Sequence, residues 1–240
     1  MEKRSVEFSI PSDTGVVVRN ANGSVLVRGG ALQGMLTAIR RPGPELPYTR
    51  FFEPEVESGR PLVLKCNYSC SRVQASVDLE VDLPSGAEFL EVETMNGNII
   101  LTSPGCPVVA QTYNGFVRLE GAAGLATLAS RNGAVEALGR CQISSLSTLN
   151  GDIRAGVSGL AQDGARIETV IGSISMTLSP DLDAVLDATA GRGSLTLSGV
   201  DVGSPSVGSG SIRGVLGRGG PRLLVRCSVG DIGISKANQQ

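Results

Sequence analysis

Apolar and polar residues alternate with a period of two along most of this chain, and from Val92 onward glycine interrupts the alternation at regular intervals. The segment Glu93-Thr-Met-Asn-Gly-Asn-Ile-Ile-Leu is followed by Gln111-Thr-Tyr-Asn-Gly-Phe-Val-Arg-Leu, by Ala129-Ser-Arg-Asn-Gly-Ala-Val-Glu-Ala and by Ser147-Thr-Leu-Asn-Gly-Asp-Ile-Arg-Ala. Gly97, Gly115, Gly133 and Gly151 stand 18 residues apart each time. A fixed period of this length is the mark of a repeat architecture. Turn glycines continue at Gly172, Gly193, Gly210 and Gly230, at intervals of 21, 21, 17 and 20 residues.

Counting from these glycines assigns an inside and an outside. Two residues after them stand Ile99, Val117, Val135, Ile153, Ile174, Leu195, Ile212 and Ile232, and four after stand Leu101, Leu119, Ala137, Ala155, Met176, Leu197, Gly214 and Ile234. Three before stand Thr94, Thr112, Ser130, Thr148, Thr169, Ala190, Val207 and Cys227; five before, Val92, Ala110, Leu128, Leu146, Ile167, Ala188, Pro205 and Val225. These four columns stay apolar or small and predict the interior. The position just after the glycine, with Asn98, Phe116, Ala134 and Asp152, does not, and predicts the exterior.

Earlier in the chain, Val16, Val18, the turn Asn22-Gly23, Val25 and Val27 read as a first, isolated copy of the repeat. Residues 40–60 contain Arg40-Arg-Pro-Gly-Pro-Glu-Leu-Pro, and proline supplies no N–H and restricts its neighbour, so an exposed loop is expected there. Leu62, Leu64 and Cys66, then Val73, Ala75, Val77, Leu79, Val81 and Leu83, alternate with polar positions and predict a strand pair with one wet face.

Two folds satisfy the repeat. Asn-Gly between alternating strands is a strong hairpin signal, but a meander of these units would be one sheet of about sixteen strands, where open sheets rarely exceed about ten. Its apolar face would need a covering layer, and no helix-period segment offers one. Coiling lets each copy stack on the last so that the columns become their own core. The expected fold is therefore an all-β, single-chain parallel β-solenoid (β-helix) with coils of about 18–21 residues. It forms a single domain over residues 1–240, with irregular N-terminal coils at 1–90 and a regular array at 91–236. Eight rungs at about 4.8 Å make a rod of roughly 40 Å. In that coil Asn96, Asn114, Asn132 and Asn150 stack as an amide ladder, which lapses at Ile171, Arg192, Ser209 and Val229.

Composition narrows the function classes. The chain has 32 glycines, 41% apolar residues and only 3% aromatics, which suits a narrow stack filled by aliphatic side chains. A net charge of −2 gives no basic stripe for nucleic acid. No run of 18 apolar residues exists, so membrane insertion by a helix is not expected. The opening Met1-Glu-Lys-Arg-Ser-Val-Glu-Phe lacks the apolar core of a signal peptide, so a cytoplasmic location is expected as written, or the cell surface or periplasm if a leader was removed. Five cysteines without histidine or Cys-x-x-Cys speak against a zinc site, and no metal or other cofactor is expected. Cys66 and Cys70 are too far apart in one strand to bridge, Cys227 is expected in the inward column, and Cys106 and Cys141 in outer turns. Reduced thiols favour the cytoplasm.

Val18-Arg-Asn-Ala-Asn-Gly-Ser-Val-Leu-Val27, the strand Val77-Asp-Leu-Glu-Val-Asp-Leu-Pro84 and the serial units from Thr94 onward occur in this order. Together they resemble the DUF4097-type putative-adhesin family of bacterial β-strand repeat proteins, over nearly the whole chain except residues 40–60. The resemblance implies the repeat fold and little about function.

For function, an enzyme would need carboxylates facing one scissile bond. Asp181, Asp183 and Asp187 fall in one loop, and Arg118, Arg154 and Arg213 share a column interrupted by Glu136, which reads as solvated loop and surface charge. There is no histidine to serve a serine or cysteine nucleophile. Gly208-Ser-Gly-Ser-Ile-Arg-Gly214 has no helix after it and reads as a repeat corner, not a phosphate loop. A binding surface has more substance. Met95, Tyr113, Leu149 and Val170 occupy an outward column, Ile100 and Phe116 lie nearby, and such a strip marks a partner surface unless Phe51 and Phe52 fold back over it. The expected protein is a non-enzymatic structural or interaction scaffold, engaging a protein partner or a second copy through this strip or through the edge of an uncapped C-terminal coil. The alternative is a carbohydrate-binding or carbohydrate-cleaving β-helix.

Overall fold

The computed structural model describes residues 1–40, 51–69, 76–121 and 124–237. Period-two segments bounded by glycine corners become strands throughout, and the described residues hold no helix. The N-terminal part supplies β1 (Glu2–Phe8), β2 (Val16–Asn22), β3 (Val25–Ala31), β4 (Gly34–Arg40), β5 (Phe51–Glu57), β6 (Leu62–Ser69) and β7 (Val77–Pro84). The regular part runs through β8 (Leu90–Asn96), β9 (Ile99–Thr102), β10 (Val108–Asn114), β11 (Val117–Glu120), β12 (Leu125–Asn132), the long β13 (Val135–Asn150), β14 (Ile153–Leu160), β15 (Ala165–Ile171) and β16 (Ile174–Leu178). The C-terminal part adds β17 (Ala184–Arg192), β18 (Leu195–Ser198), β19 (Gly203–Gly208), β20 (Ser211–Leu216), β21 (Arg222–Val229) and β22 (Ile232–Lys236).

Pairing is mixed and mostly parallel, and the arrangement is solenoid-like. β8 pairs with β2 and β10, not with its sequence neighbour β9, so the Asn-Gly corners do not close hairpins. Asn114 stands opposite both Asn96 and Asn132, and Val117 opposite both Ile99 and Val135, one repeat away in each direction. On the first face the strands follow in the order β6, β2, β8, β10, β12, β13, β15, β21, β17. On the second they follow as β7, β3, β9, β11, β13, β14, β16, β22, β18.

The inward columns form one core. Val92, Leu128, Leu146, Ile167, Ile99, Val117, Val135, Ile153 and Met176 are all buried, as is Thr94, Thr112, Ser130, Thr148 and Thr169 among the polar column. Each fully buried aliphatic contributes about 1.5–3 kcal/mol of transfer free energy. The corner glycines are fixed by stacking distance as much as by backbone angle. At Gly115, with φ of 143°, a Cβ would stand 2.2 Å from the Gly97 carbonyl oxygen.

Three sets of hydrogen bonds tie successive coils together. The amide ladder is present: Asn96 donates to Asn22 at 2.7 Å, Asn114 to Asn96 at 2.8 Å, Asn132 to Asn114 at 2.9 Å and Asn150 to Asn132 at 3.0 Å. It stops at Ile171, which faces Asn150. Inside the corner, Thr112 Oγ1 donates to the Gly97 carbonyl, Ser130 to that of Gly115 and Thr148 to that of Gly133. Outside it, side-chain oxygens of Asn98, Asp152 and Asp231 accept backbone N–H groups of Phe116, Ser173 and Ser194.

Chain order and spatial order part company at both ends. The first coil in sequence, β2–β3, lies between β6–β7 and β8–β9. The last, β21–β22, lies between β15–β16 and β17–β18. The C-terminal coil is therefore an internal rung and not the uncapped edge expected from the sequence. Antiparallel strands flank the stack instead: β4 and β1 beside β7 with β5 against β6 at one end, and β20 then β19 beside β17 at the other, where β18 pairs with β22 alone among the described residues.

Four further expectations are corrected. Gly210 marks the turn of the β19–β20 hairpin and not a repeat corner, because β20 runs antiparallel to β17; Val207, placed in an inward column by its spacing, is 74% exposed. Part of the expected 40–60 loop is strand β5, where Pro54 sits opposite Cys66 on a strand that, among the described residues, pairs with β6 alone, an edge position where proline is tolerated; residues 41–50 lie outside the described residues. Cys106 and Cys141 are buried in the core, not in outer turns, because the second bend of each coil points them inward. The first coil is not isolated, since it pairs on both sides. Val73, Ala75 and Cys70 also lie outside the described residues.

Candidate functional site

On the outer side of the first face, the strand period of two that sends Thr94, Thr112 and Thr148 inward sends Met95, Tyr113 and Leu149 outward. Met95 is 60%, Tyr113 44%, Leu149 38% and Val170 43% exposed. Parallel pairing of β8, β10, β12, β13 and β15 holds them in one column across successive coils. Between Tyr113 and Leu149 that column carries Arg131, whose guanidinium carbon lies 4.7 Å from the centre of the Tyr113 ring. This contact is a cation–π interaction that fixes the ring on the face. A search for apolar positions alone passes over Arg131, although its spacing from the glycine placed it in the column.

The column opens at one end into a groove of about 630 Å³ lined by Arg19, Lys65, Glu93, Met95, Gln111 and Tyr113. Arg19 and Glu93 pair across it at 3.6 Å, and Lys65 pairs with Glu55 and Glu57. The groove lies where β6 stops pairing with β2: the register runs only from Val16↔Leu62 to Arg19↔Lys65. In the neighbouring column the amide ladder gives way beyond Asn150 to exposed Ile171 and Val229.

Phe116 and Ile100 do not join this column. Phe116 is half-buried at the corner, with the Arg118 guanidinium 5.8 Å from its ring centre. Ile100 lies on the second face between Leu26 and Arg118. Phe52 does not fold over the strip either. It is buried at the end of the stack, with the guanidinium carbons of Arg4 and Arg40 each 5.2 Å from its ring centre.

Most of the charged residues weighed for catalysis are engaged in ion pairs. Asp187 lies buried in β17, not in a solvated loop, and pairs with Arg213 at 3.1 Å and with Arg222. Burial works against ionisation of Asp187, but the hydrogen bonds and charges of Arg222 and Arg213 prevail and hold its pKa below the ordinary carboxylate value. Asp183 accepts from the Arg218 backbone N–H and guanidinium, which lower its pKa likewise. Glu136 bridges Arg118 at 2.6 Å and Arg154 at 3.7 Å. Arg213 belongs to the β20 hairpin and not to the column of Arg118 and Arg154. Asp181 lines an open cleft of about 890 Å³ on the second face with Arg140, Arg154, Ser175, Thr177 and Ser179. Among the described residues, no cluster of three or more His, Cys, Asp or Glu is placed to hold a metal.

No family model and no curated protein matches the chain. Its fold is similar to that of a solved structure described as a putative adhesin from Bacteroides fragilis NCTC 9343, with a TM-score of 0.51, 12% identity, and coverage of 98% of this chain and 97% of that one. A putative cell adhesion protein from Clostridium sporogenes ATCC 15579 is 12% identical with a TM-score of 0.38, covering 98% and 99% of the two chains. A putative lipid binding protein from Parabacteroides distasonis ATCC 8503 is 10% identical with a TM-score of 0.32, covering 98% and 97%. The first likeness concerns the fold alone, and nothing rests on the other two.

Proposed function

We propose that the chain is a non-enzymatic parallel β-solenoid of the DUF4097-type adhesin class, and that it acts as an interaction scaffold whose partner is a protein docked on the outer side of the first face. The observation that carries this reading is the register-held column of Met95, Tyr113, Leu149 and Val170, exposed on a rigid sheet. An apolar column of this kind, bordered by the asparagine ladder, has the make-up of a partner surface with a polar rim. Antiparallel strands flank β7 at one end of the stack and β17 at the other, which favours the lateral face for recognition. Cys106 and Cys227 are buried thiols outside any disulfide, which supports a reducing, cytoplasmic compartment.

A photo-crosslinking side chain at position 113, compared with one at exposed Thr196 on the second face, tests the reading in cells that make the protein. Adducts specific to position 113 are expected. Equal labelling at both positions, or none, would sink it.

A carbohydrate-binding role is the second reading. The cleft on the second face supports it, because guanidinium groups of Arg140 and Arg154 stand beside the hydroxyls of Ser175, Thr177 and Ser179. A glycan array with the parent and with Arg154→Ala decides that version: binding lost in the variant supports it, and no glycan bound by the parent removes it.

A further inference from the structure

The chain leaves room for a rung before the residues that fill it have been reached. From β16 to β17 the connection, residues 179–183, crosses two rung spacings, roughly 10 Å. β17 pairs with β20 and β21 but not with β15. Into this slot comes β21–β22, the last two strands among the described residues. It pairs in parallel on both sides, with Leu223 opposite Ala165 and Leu186, and Ile232 opposite Ile174 and Leu195. Its inward side chains, Leu223, Val225, Cys227, Ile232 and Ile234, are fully buried there.

Two features make this segment separable. It is attached through Gly217-Arg-Gly-Gly-Pro221, a hinge whose Gly217 and Gly219 have φ of 58° and 80°. Besides the turn bond from the Gly219 N–H to the Leu216 carbonyl at 3.0 Å, a side-chain clamp holds that hinge: Asp183 accepts the Arg218 N–H at 2.8 Å and its guanidinium Nε at 2.9 Å. Every contact of β21–β22 inside the slot is thus indifferent to which copy of the chain supplies it. Only the hinge and its clamp tell the closed form from an exchanged one.

We infer that the slot between β15–β16 and β17–β18 is a strand-acceptor site for a second copy of this chain, which fills it by reciprocal exchange of β21–β22. This is independent of the lateral strip and involves none of its residues. The closed monomer is held by the Asp183–Arg218 clamp, and exchange becomes favourable when the hinge cannot return.

Deletion of Arg218–Gly220 tests the inference. Leu216 faces Ala184 on one side of β17, and Arg222 faces Val185 on the other. Two remaining hinge residues reach about 10–11 Å, no more than the straight line through β17, so closure within one chain is blocked. Light scattering is expected to give a dimer with the parent's β-sheet circular dichroism, unchanged when Tyr113→Glu is added. A monomer, folded or unfolded, overturns the inference. As a second measurement, full-length Asp183→Ala protein is incubated with a fluorescent peptide of residues 221–237. Capture several-fold faster than by the parent is expected, with none of a peptide bearing Val225→Asp. Equal capture of both peptides, or capture of neither, overturns it.

Discussion

Thr112 Oγ1 donates a hydrogen bond to the carbonyl of Gly97, 2.9 Å away in the preceding coil. The same oxygen is the atom that a Cβ on Gly115 would meet at 2.2 Å. One carbonyl therefore dictates two sequence positions: a hydroxyl three residues before the corner and no side chain at it. Thr112→Val keeps the shape and removes the donor, and is expected to cost about 1–3 kcal/mol, with Thr112→Ser close to the parent. Gly115→Ala, which combines the clash with a positive φ, should cost more than Thr112→Val. Urea unfolding of the purified variants measures both.

The amide ladder gives a prediction with a pH signature. Asn132 donates to Asn114 and accepts from Asn150. In Asn132→Asp the carboxylate still accepts but faces the Asn114 oxygen without a proton to give. The folded state then favours the protonated acid, so its pKa there lies above the unfolded value of about 4. The variant should be less stable than the parent at pH 7, and the gap should narrow as pH falls toward 4. A gap that stays constant between pH 7 and pH 4 would contradict the ladder.

Acid should loosen the C-terminal cap. Asp187 and Asp183 both carry lowered pKa values, through Arg222 and Arg213 for the first and Arg218 for the second. Carboxylates of this kind stabilise the fold above their unfolded pKa of about 4, and the contribution disappears as pH drops below it. Asp187→Asn is expected to lower stability at pH 7 by less than the roughly 3–5 kcal/mol of a wholly buried pair, because the Arg213 and Arg222 side chains are 69% and 57% exposed. The difference from the parent should shrink progressively as pH falls below about 4 in denaturant titrations.

Thiol reactivity should report on unfolding. Burial raises the pKa of Cys66 to about 11 and pushes those of Cys106 and Cys227 upward. At pH 8 these groups stay protonated and poor nucleophiles. Mass-spectrometric mapping after iodoacetamide is expected to find Cys106, Cys141 and Cys227 unmodified in the native protein and modified in urea. Rapid native labelling of Cys141 would place it outside the core.

The repeat itself was legible because its causes are local. An inward column needs a small or aliphatic side chain at each coil, and a stacked corner tolerates only glycine, so Ile99, Val117, Val135 and Ile153 announce themselves by spacing. The roles of Thr94, Thr112 and Thr148 as donors were hidden, since a column of small residues looks the same whether or not its hydroxyls bond. What spacing could not convey was which coil lies beside which. Val225 and Ile232 fit the rung next to β15–β16 as well as they would fit the end of the stack, because every rung offers the same apolar columns. Val207 misled for the same reason: a hairpin strand and a coil strand share the period of two. On the first face, the exposed character of Met95, Tyr113, Leu149 and Val170 followed from alternation. Phe116 and Ile100 were assigned to the same surface only because a one-dimensional count does not say where the corner falls.

Placing strands that run against the grain at both ends separates the molecule's length from its integrity. A duplicate of residues 115–132 inserted after Asn132 would meet, above and below, the same columns that its original meets. The body should lengthen by about 4.8 Å while each terminus keeps its present lid. The reach of a body built in this way can change by whole coils without any new contact having to be invented.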